Sequence, residues 1–330
     1  MHPPPPPLPG PLPPPARPLI VRLRNWVGDV TLGLPTLQRL ADAGYNPRLI
    51  GKGWARDLLA GHGWPAHTLP KTLTARVAQL RALKREALAE DPGFGRRLNA
   101  VCFPYSFGSA LEMRLAGLKA IGHAYEGRSL LLSRSVARPQ SMHELEVYWH
   151  LGSALLGADA PPPATLGLRP SAQHLAQARS LLQASGVRPG YIVVCPFAGG
   201  TWAGEDKTWP DFADFVAKDL PAFGRDVLIC PGPGEEGLAR EKFASARLLP
   251  GVGLGAYAAL LQQAALMISN DTGPGHMAAA VGTPLISVLG PSDPDLWRAW
   301  GPAVFLLQGE SGWPTRAKVA VAVATVLGQF

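Results

Sequence analysis

The residues best suited to chemistry lie in one run, Leu266 to Pro291, which reads LMISNDTGPGHMAAAVGTPLISVLGP. A short apolar stretch, Leu266 to Ser269, stops at Asn270–Asp271; small residues follow, and a second apolar stretch, Leu285 to Leu289, ends at Gly290–Pro291. That pattern predicts a strand, a helix start and a second strand, the unit that builds parallel sheets. Asp271, Thr272, Gly273, Gly275 and His276 fall at the first strand-to-helix junction. The free N–H groups of a helix start attract phosphate, and glycines let a ligand approach the backbone. In an open α/β sheet this is where anionic ligands bind. Asp or Thr before a helix is equally an ordinary N-cap, with the glycines serving packing alone. His276 favours the ligand reading, because an imidazole in an Ala-rich turn needs a polar reason to be there.

Three further segments carry candidate chemistry. Asp29 follows Gly28 in the first β-to-α loop, where a carboxylate can cap the next helix or act as a general base facing a cleft. Phe197 to Pro210, FAGGTWAGEDKTWP, follows a strand-like run. Gly199, Gly200 and Thr201 read there as a flexible polar turn, and Lys207 adds a point charge, a set suited to a diphosphate if the loop is more than solvated surface. Gly232 to Gly237 spells GxGxxG after a strand. Pro233 stiffens the turn, however, and Val252 to Met267 holds no acidic residue for a ribose, so dinucleotide binding is disfavoured. No Walker A, GxSxG or HExxH pattern is present, and Cys102, Cys195 and Cys230 lack metal spacing and read as core thiols.

The elements that must position these residues alternate in two blocks. In the first, Leu19 to Leu23 reads as a buried strand, Asn25 to Asp29 as a loop and Val30 to Ala43 as a helix. Leu49–Ile50 and Asn99 to Phe103 read as further strands, Leu69 to Ala89 as an interrupted basic helical region, and about Ser109–Ala116 and His143–Leu156 as helices. Pro161 to Pro163 mark a break. In the second block, strands are expected at Tyr191–Cys195 and Val227–Cys230, and helices at Ser171–Ala184, Asp211–Leu220, Glu235–Ala246 and Gly255–Ala265. Trp297, Trp300 and Lys318–Leu327 read as closing helices. Two such β/α blocks predict two doubly wound parallel sheets facing across a cleft. The expected domains are 19–165 and 166–330. Residues 1–18, with eleven prolines, read as a polyproline or disordered tail.

At 330 residues, with 47% hydrophobic and 17% charged content, the chain has the composition of a two-domain folded protein. No apolar run approaches the ~18 residues of a membrane span, and the N-terminus lacks a signal-peptide pattern, so a cytoplasmic location is expected. The net charge of +7 is lopsided: residues 1–170 hold 20 Lys/Arg and 11 Asp/Glu, residues 171–330 hold 11 and 13. A basic first half suits nucleic acid, an anionic lipid surface or a phosphorylated acceptor.

Together, WVGDVTLGLPTL near the start, the KTWP turn ending at Pro210, GPGEE, and SNDTGPGHMAAAVGTPLISVLGPSDP resemble the ADP-heptose:lipopolysaccharide heptosyltransferases of glycosyltransferase family 9. The resemblance runs from Leu19 onward. It implies the GT-B architecture of two Rossmann-like domains, the first binding the acceptor and the second the sugar nucleotide. It also implies an inverting, metal-independent heptosyl transfer with no cofactor beyond an ADP-sugar co-substrate. Asp29 matches the family's proposed base; Thr201 and Lys207 match the diphosphate turn; Glu235 or Glu236 matches a nucleoside contact. Asp271, Thr272, Gly273 and His276 match the donor signature. Acceptor contacts are expected around Arg22, Lys52, Arg56 and the Tyr105–Ser109 loop, Ser106 included. The implied partners are a nucleotide-sugar donor and an anionic lipid-linked glycan, with peripheral contact at the inner membrane and no nucleic acid. Another nucleotide sugar as donor, or a nucleotide-binding protein that has lost transfer, are the competing readings.

Overall fold

The computed structural model describes residues 16–328 except 200, 203, 291, 292 and 311, and describes 201, 202, 205 and 206 by their backbone alone. The proline-rich tail lies outside the described residues up to Pro15. Its expected boundary at residue 18 is corrected, since the first strand already begins at Arg17.

In the first half the strands are β1 (Arg17–Arg22), β2 (Tyr45–Gly51), β3 (Ala66–Thr68), β4 (Ala100–Cys102), β5 (Ala120–His123) and β6 (Arg134–Val136). They form one sheet in the order β3-β2-β1-β4-β5-β6, with every neighbouring pair parallel. The α-helices that follow these strands are α1 (Val27–Leu32), α2 (Leu34–Asp42), α3 (Trp54–Leu58), α4 (Leu73–Glu90), α5 (Phe107–Leu115) and α6 (Glu144–Leu156). The second half repeats the plan. Strands β7 (Ile192–Cys195), β8 (Thr201–Trp202), β9 (Glu205–Asp206), β10 (Val227–Ile229), β11 (Arg247–Leu248), β12 (Leu266–Asn270), β13 (Leu285–Leu289) and β14 (Val304–Gln308) alternate, among the described residues, with seven α-helices. These are α7 (Ala172–Ser185), α8 (Phe212–Asp214), α9 (Glu236–Lys242), α10 (Leu254–Gln263), α11 (Gly273–Val281), α12 (Pro294–Trp297) and α13 (Arg316–Leu327). Its sheet runs β11-β10-β7-β12-β13-β14, again parallel, while β8 and β9 form a separate antiparallel ribbon. Two Rossmann-like sheets of matching order constitute the expected GT-B arrangement.

Strand alternation explains how the layers assemble. Leu19 and Val21 of β1 enter a core that continues into Met277 and Ala278 of α11, across the two lobes. Ile20, pointing the other way, packs with Leu80 and Leu83 of α4. In β12, Met267 joins the shared core, whereas Leu266 and Ile268 pack with Trp209, Phe212 and Val319 on the far face. Each fully buried valine, leucine, isoleucine, methionine or phenylalanine among them contributes about 1.5–3 kcal/mol.

The lobes are also tied by polar contacts. The Asp57 carboxylate at α3 accepts from Gly255 N at 2.8 Å, in the first turn of α10, and from His174 Nε2 of α7 at 3.0 Å. The N-cap residue of α10 itself, Gly253, has no side chain to do this. His143 Nε2 meets the Arg298 carbonyl at 2.9 Å. No helix among the described residues is long and apolar enough to cross a membrane.

Several expected elements change. The helix expected over Val30–Ala43 starts at Val27 and breaks at Gly33 into α1 and α2, with Pro35 in the first turn of the second. The region expected to be interrupted at Leu69–Ala89 contains one continuous 18-residue helix, opened by Thr72, whose hydroxyl accepts from Ala75 N. The helix expected over Asp211–Leu220 is three α-helical residues followed by a π turn and a 3₁₀ turn closed by Gly224.

Candidate functional site

Both sheets present the loops after their strands to the same cleft, and Asp29 enters from the first lobe. It lies inside α1 rather than in the preceding loop, and it does not cap that helix: the N-cap position is Trp26, which makes no side-chain cap bond. Asp29 is 8% exposed. Its Oδ1 accepts from the Tyr148 hydroxyl of α6 at 2.9 Å and from Arg24 Nε at 3.2 Å. Burial, reinforced by the charge of Asp29, raises the Tyr148 pKa well above its usual value, so this hydroxyl stays a donor. Burial opposes the charge of Arg24, yet Tyr148, Asp29, Glu144 and Tyr105 around it hold its pKa above the ordinary arginine value.

From the second lobe come the residues after β12. Thr272 occupies the N-cap of α11 in an extended conformation without a side-chain cap bond, and Pro274 sits in the first turn. The N-cap reading of Thr272 is therefore not realised, which leaves the helix's first amides uncapped by that side chain. Gly275 is required here, because a Cβ would stand 2.7 Å from Ser269 Oγ. Lys207 Nζ pairs with Asp271 Oδ2 at 3.0 Å, and His276 Nε2 lies 4.0 Å from Asp271 Oδ1. Burial lowers the His276 pKa, with Lys207 acting in the same direction and Asp271 and Asp29 opposing, so the ring is neutral near pH 7. Its Nδ1 is buried without a hydrogen-bond partner among the described residues.

The two contributions meet directly. A Cβ on Gly28 would come within 2.9 Å of His276 Cδ2, and one on Gly273 within 2.9 Å of Val27 Cβ. Only glycine at both positions lets the start of α1 lie against the start of α11. Asp29, Lys207, Asp271, Gly273 and His276 are thereby brought together, a carboxylate on one wall and, as a cradle on the other, a lysine–aspartate pair beside the amides of a helix start.

Sequence reading missed what holds the cradle. Buried Asn270 accepts from Trp209 N at 2.9 Å and donates Nδ2 to the Pro196 carbonyl at 2.8 Å. One carboxamide thus binds the KTWP turn to the ends of β7 and β12. Trp209 is 1% exposed and anchors that turn against Phe212 and Phe215.

Other expected residues are placed differently. The backbone of Thr201 lies in the β8–β9 ribbon rather than a loose turn, and its side chain lies outside the described residues. Glu235 turns back onto its own loop, accepting from Gly232 N at 2.7 Å, and Glu236 does the same from Gly234 N at 3.0 Å. Gly234, at φ +88, makes the turn that allows this. Arg22, expected as an open acceptor contact, is corrected to a buried ion pair: it is 3% exposed, and its Nε lies 2.8 Å from Glu112 Oε1. Lys52 and Arg56 are exposed, Arg56 beside Trp64 and His67 on a groove of about 520 Å³. Ser106 is exposed, and its carbonyl accepts from Arg128 at 3.3 Å. Tyr148, Glu144 and Arg138 were not marked by any motif, while Arg24 lay unremarked beside Asp29.

A family model described as glycosyltransferase family 9 (heptosyltransferase) matches residues 99–321. Lipopolysaccharide heptosyltransferase 3 of Escherichia coli is 35% identical over 155 residues; that match covers 44% of this chain and 44% of the relative, less than half its length. Lipopolysaccharide heptosyltransferase 2 of Escherichia coli K12 is 28% identical over 293 residues, 82% of each chain. The solved structure of Escherichia coli ADP-heptose lipopolysaccharide heptosyltransferase II superposes with a TM-score of 0.76 at 24% identity, covering 94% of this chain and 99% of that one.

Proposed function

The chain belongs to glycosyltransferase family 9, and we propose that it transfers a heptose or related sugar from an ADP-activated donor to an anionic, lipid-linked core glycan, with inversion. The observation that carries the reading is the close packing of the start of α1, the helix that carries Asp29, against Gly273 and His276 of the opposite lobe. The acceptor oxygen attacks the anomeric carbon while its proton passes to the Asp29 carboxylate. The bond from that carbon to the diphosphate oxygen breaks, and its electron pair leaves with ADP. Positive charge gathers on the sugar in an oxocarbenium-like transition state. Negative charge gathers on ADP, where Lys207 and the first amides of α11 offset it. Asp271 holds Lys207 in place at 3.0 Å. The basic balance of residues 1–170 supports an anionic acceptor presented at the cytoplasmic face of the inner membrane.

The test is incubation with ADP-heptose and de-heptosylated lipopolysaccharide, reading released ADP and the mass gained by the glycan. Asp29→Ala should lower transfer by ~100-fold or more while donor affinity stays nearly unchanged. Donor binding by the intact protein without transfer to any core glycan would support a nucleotide-binding role instead, and full turnover by Asp29→Ala would remove the base.

A further inference from the structure

Two cations around the Tyr105 ring, one of them bonded to Asp29, are left unused by the reaction described above. The Arg24 and Arg138 guanidinium carbons lie 4.4 and 4.6 Å from the centre of the Tyr105 ring. Arg24 is bonded to Asp29, and Arg138 pairs with Glu144 Oε2 at 3.3 Å. Glu144 is 1% exposed and also accepts from the Tyr105 hydroxyl. Both arginines stand on loops following strands of the first sheet, Arg24 after β1 and Arg138 after β6. The side chains are 18% and 33% exposed, so each guanidinium is largely shielded yet reachable.

Charge balance changes during turnover. When Asp29 takes the acceptor proton it becomes neutral, and Arg24 and Arg138, both largely shielded, are left sharing the one carboxylate of Glu144, a costly state. In the transfer reading the donor diphosphate belongs to the Lys207 wall, so the second anion these two guanidiniums call for comes with the acceptor. Guanidinium forks match carboxylate and phosphate oxygens two at a time, as a lysine cannot. Resting on the transfer reading, we infer that Arg24 and Arg138 form an anion subsite for a carboxylate or phosphate on the acceptor sugar near the attacked hydroxyl. Arg24 passes from Asp29 to that group as the acceptor seats, freeing the carboxylate to receive the proton.

The experiment compares the wild type with Arg138→Gln and Arg138→Lys on three core-glycan acceptors: the native one, one with its carboxylates methyl-esterified, and one with its phosphates removed. The wild type should prefer the native acceptor over one neutralised form by about 10- to 100-fold in kcat/KM, which identifies the anion read. Arg138→Gln should raise the acceptor KM, leave the donor KM unchanged and lose most of that preference, with partial rescue by Arg138→Lys. Equilibrium binding of the same glycans without donor gives the same comparison independently of turnover. Failure of transfer with the preference intact in binding would therefore count against the transferase reading and not against the subsite. A wild type indifferent to both neutralised acceptors overturns the subsite. An Arg138→Gln protein that loses activity on all acceptors equally, its preference intact, assigns Arg138 a structural role and overturns it too.

Discussion

Gly28→Ala tests the meeting of the two lobes at its narrowest point. The added methyl would stand 2.9 Å from Cδ2 and 3.3 Å from Nε2 of His276. Carbon atoms settle at about 3.5–4.0 Å, so the ring or the helix must give way by about 0.6 Å or more. His276 is 7% exposed and has little free space to retreat into. Overpacking of this kind costs about 1–3 kcal/mol, and a base displaced by nearly 1 Å from the reacting atoms loses up to about 100-fold in rate. We therefore expect transfer to fall about 10- to 100-fold, with the melting temperature lowered by several degrees. Measuring ADP release and thermal melts for Gly28→Ala, His276→Ala and the double variant isolates the clash. Once the ring is gone the methyl should add almost nothing further to the stability loss, giving a coupling energy of about 1–3 kcal/mol. Normal rate and stability in Gly28→Ala, or penalties that simply add, would refute this account of the junction.

Two further outcomes are expected. Tyr148→Phe removes the 2.9 Å bond to Asp29 Oδ1 without emptying the core, so kcat should fall about 10- to 100-fold with donor KM unchanged; an unaltered kcat and pH profile would show that the hydroxyl does not position the base. Burial pushes the pKa of His62 and of His123 down to about 4, with Arg169 helping at the first and His150 at the second, and burial lowers His143 and His276 as well. The unfolded chain then binds protons that the folded chain refuses, so stability should hold above about pH 6.5 and decline from there toward pH 4. A melting temperature flat across that window would contradict it, and His123→Gln should shallow the slope.

What the sequence disclosed follows from where information sits along the chain. β1, β12 and β13 were legible because strands buried on both faces read as unbroken apolar runs. β3 and β6 were not, because three residues such as Ala66–Thr68 or Arg134–Val136, partly exposed, leave no periodic trace. The lysine, aspartate and histidine of the cradle were recognisable because two short local segments hold them. Tyr148 escaped notice because its partner Asp29 is 119 residues away, a pairing that only the packing of α6 against α1 creates. Arg22 was misread for the complementary reason: its neutralising Glu112 is 90 residues away, so a structural ion pair looked like an open cation.

The carboxylate of Asp57 gives the two sheets a common fate. It supplies the missing cap of α10 from the opposite lobe, so severing the chain at Pro161–Pro163 would strand an acid on one fragment and bare amides on the other. Combined with an apolar seam that no single half encloses, this makes the cleft a product of joint folding and not of tethering. Whatever movement admits a substrate must pivot around that capped helix start or break it.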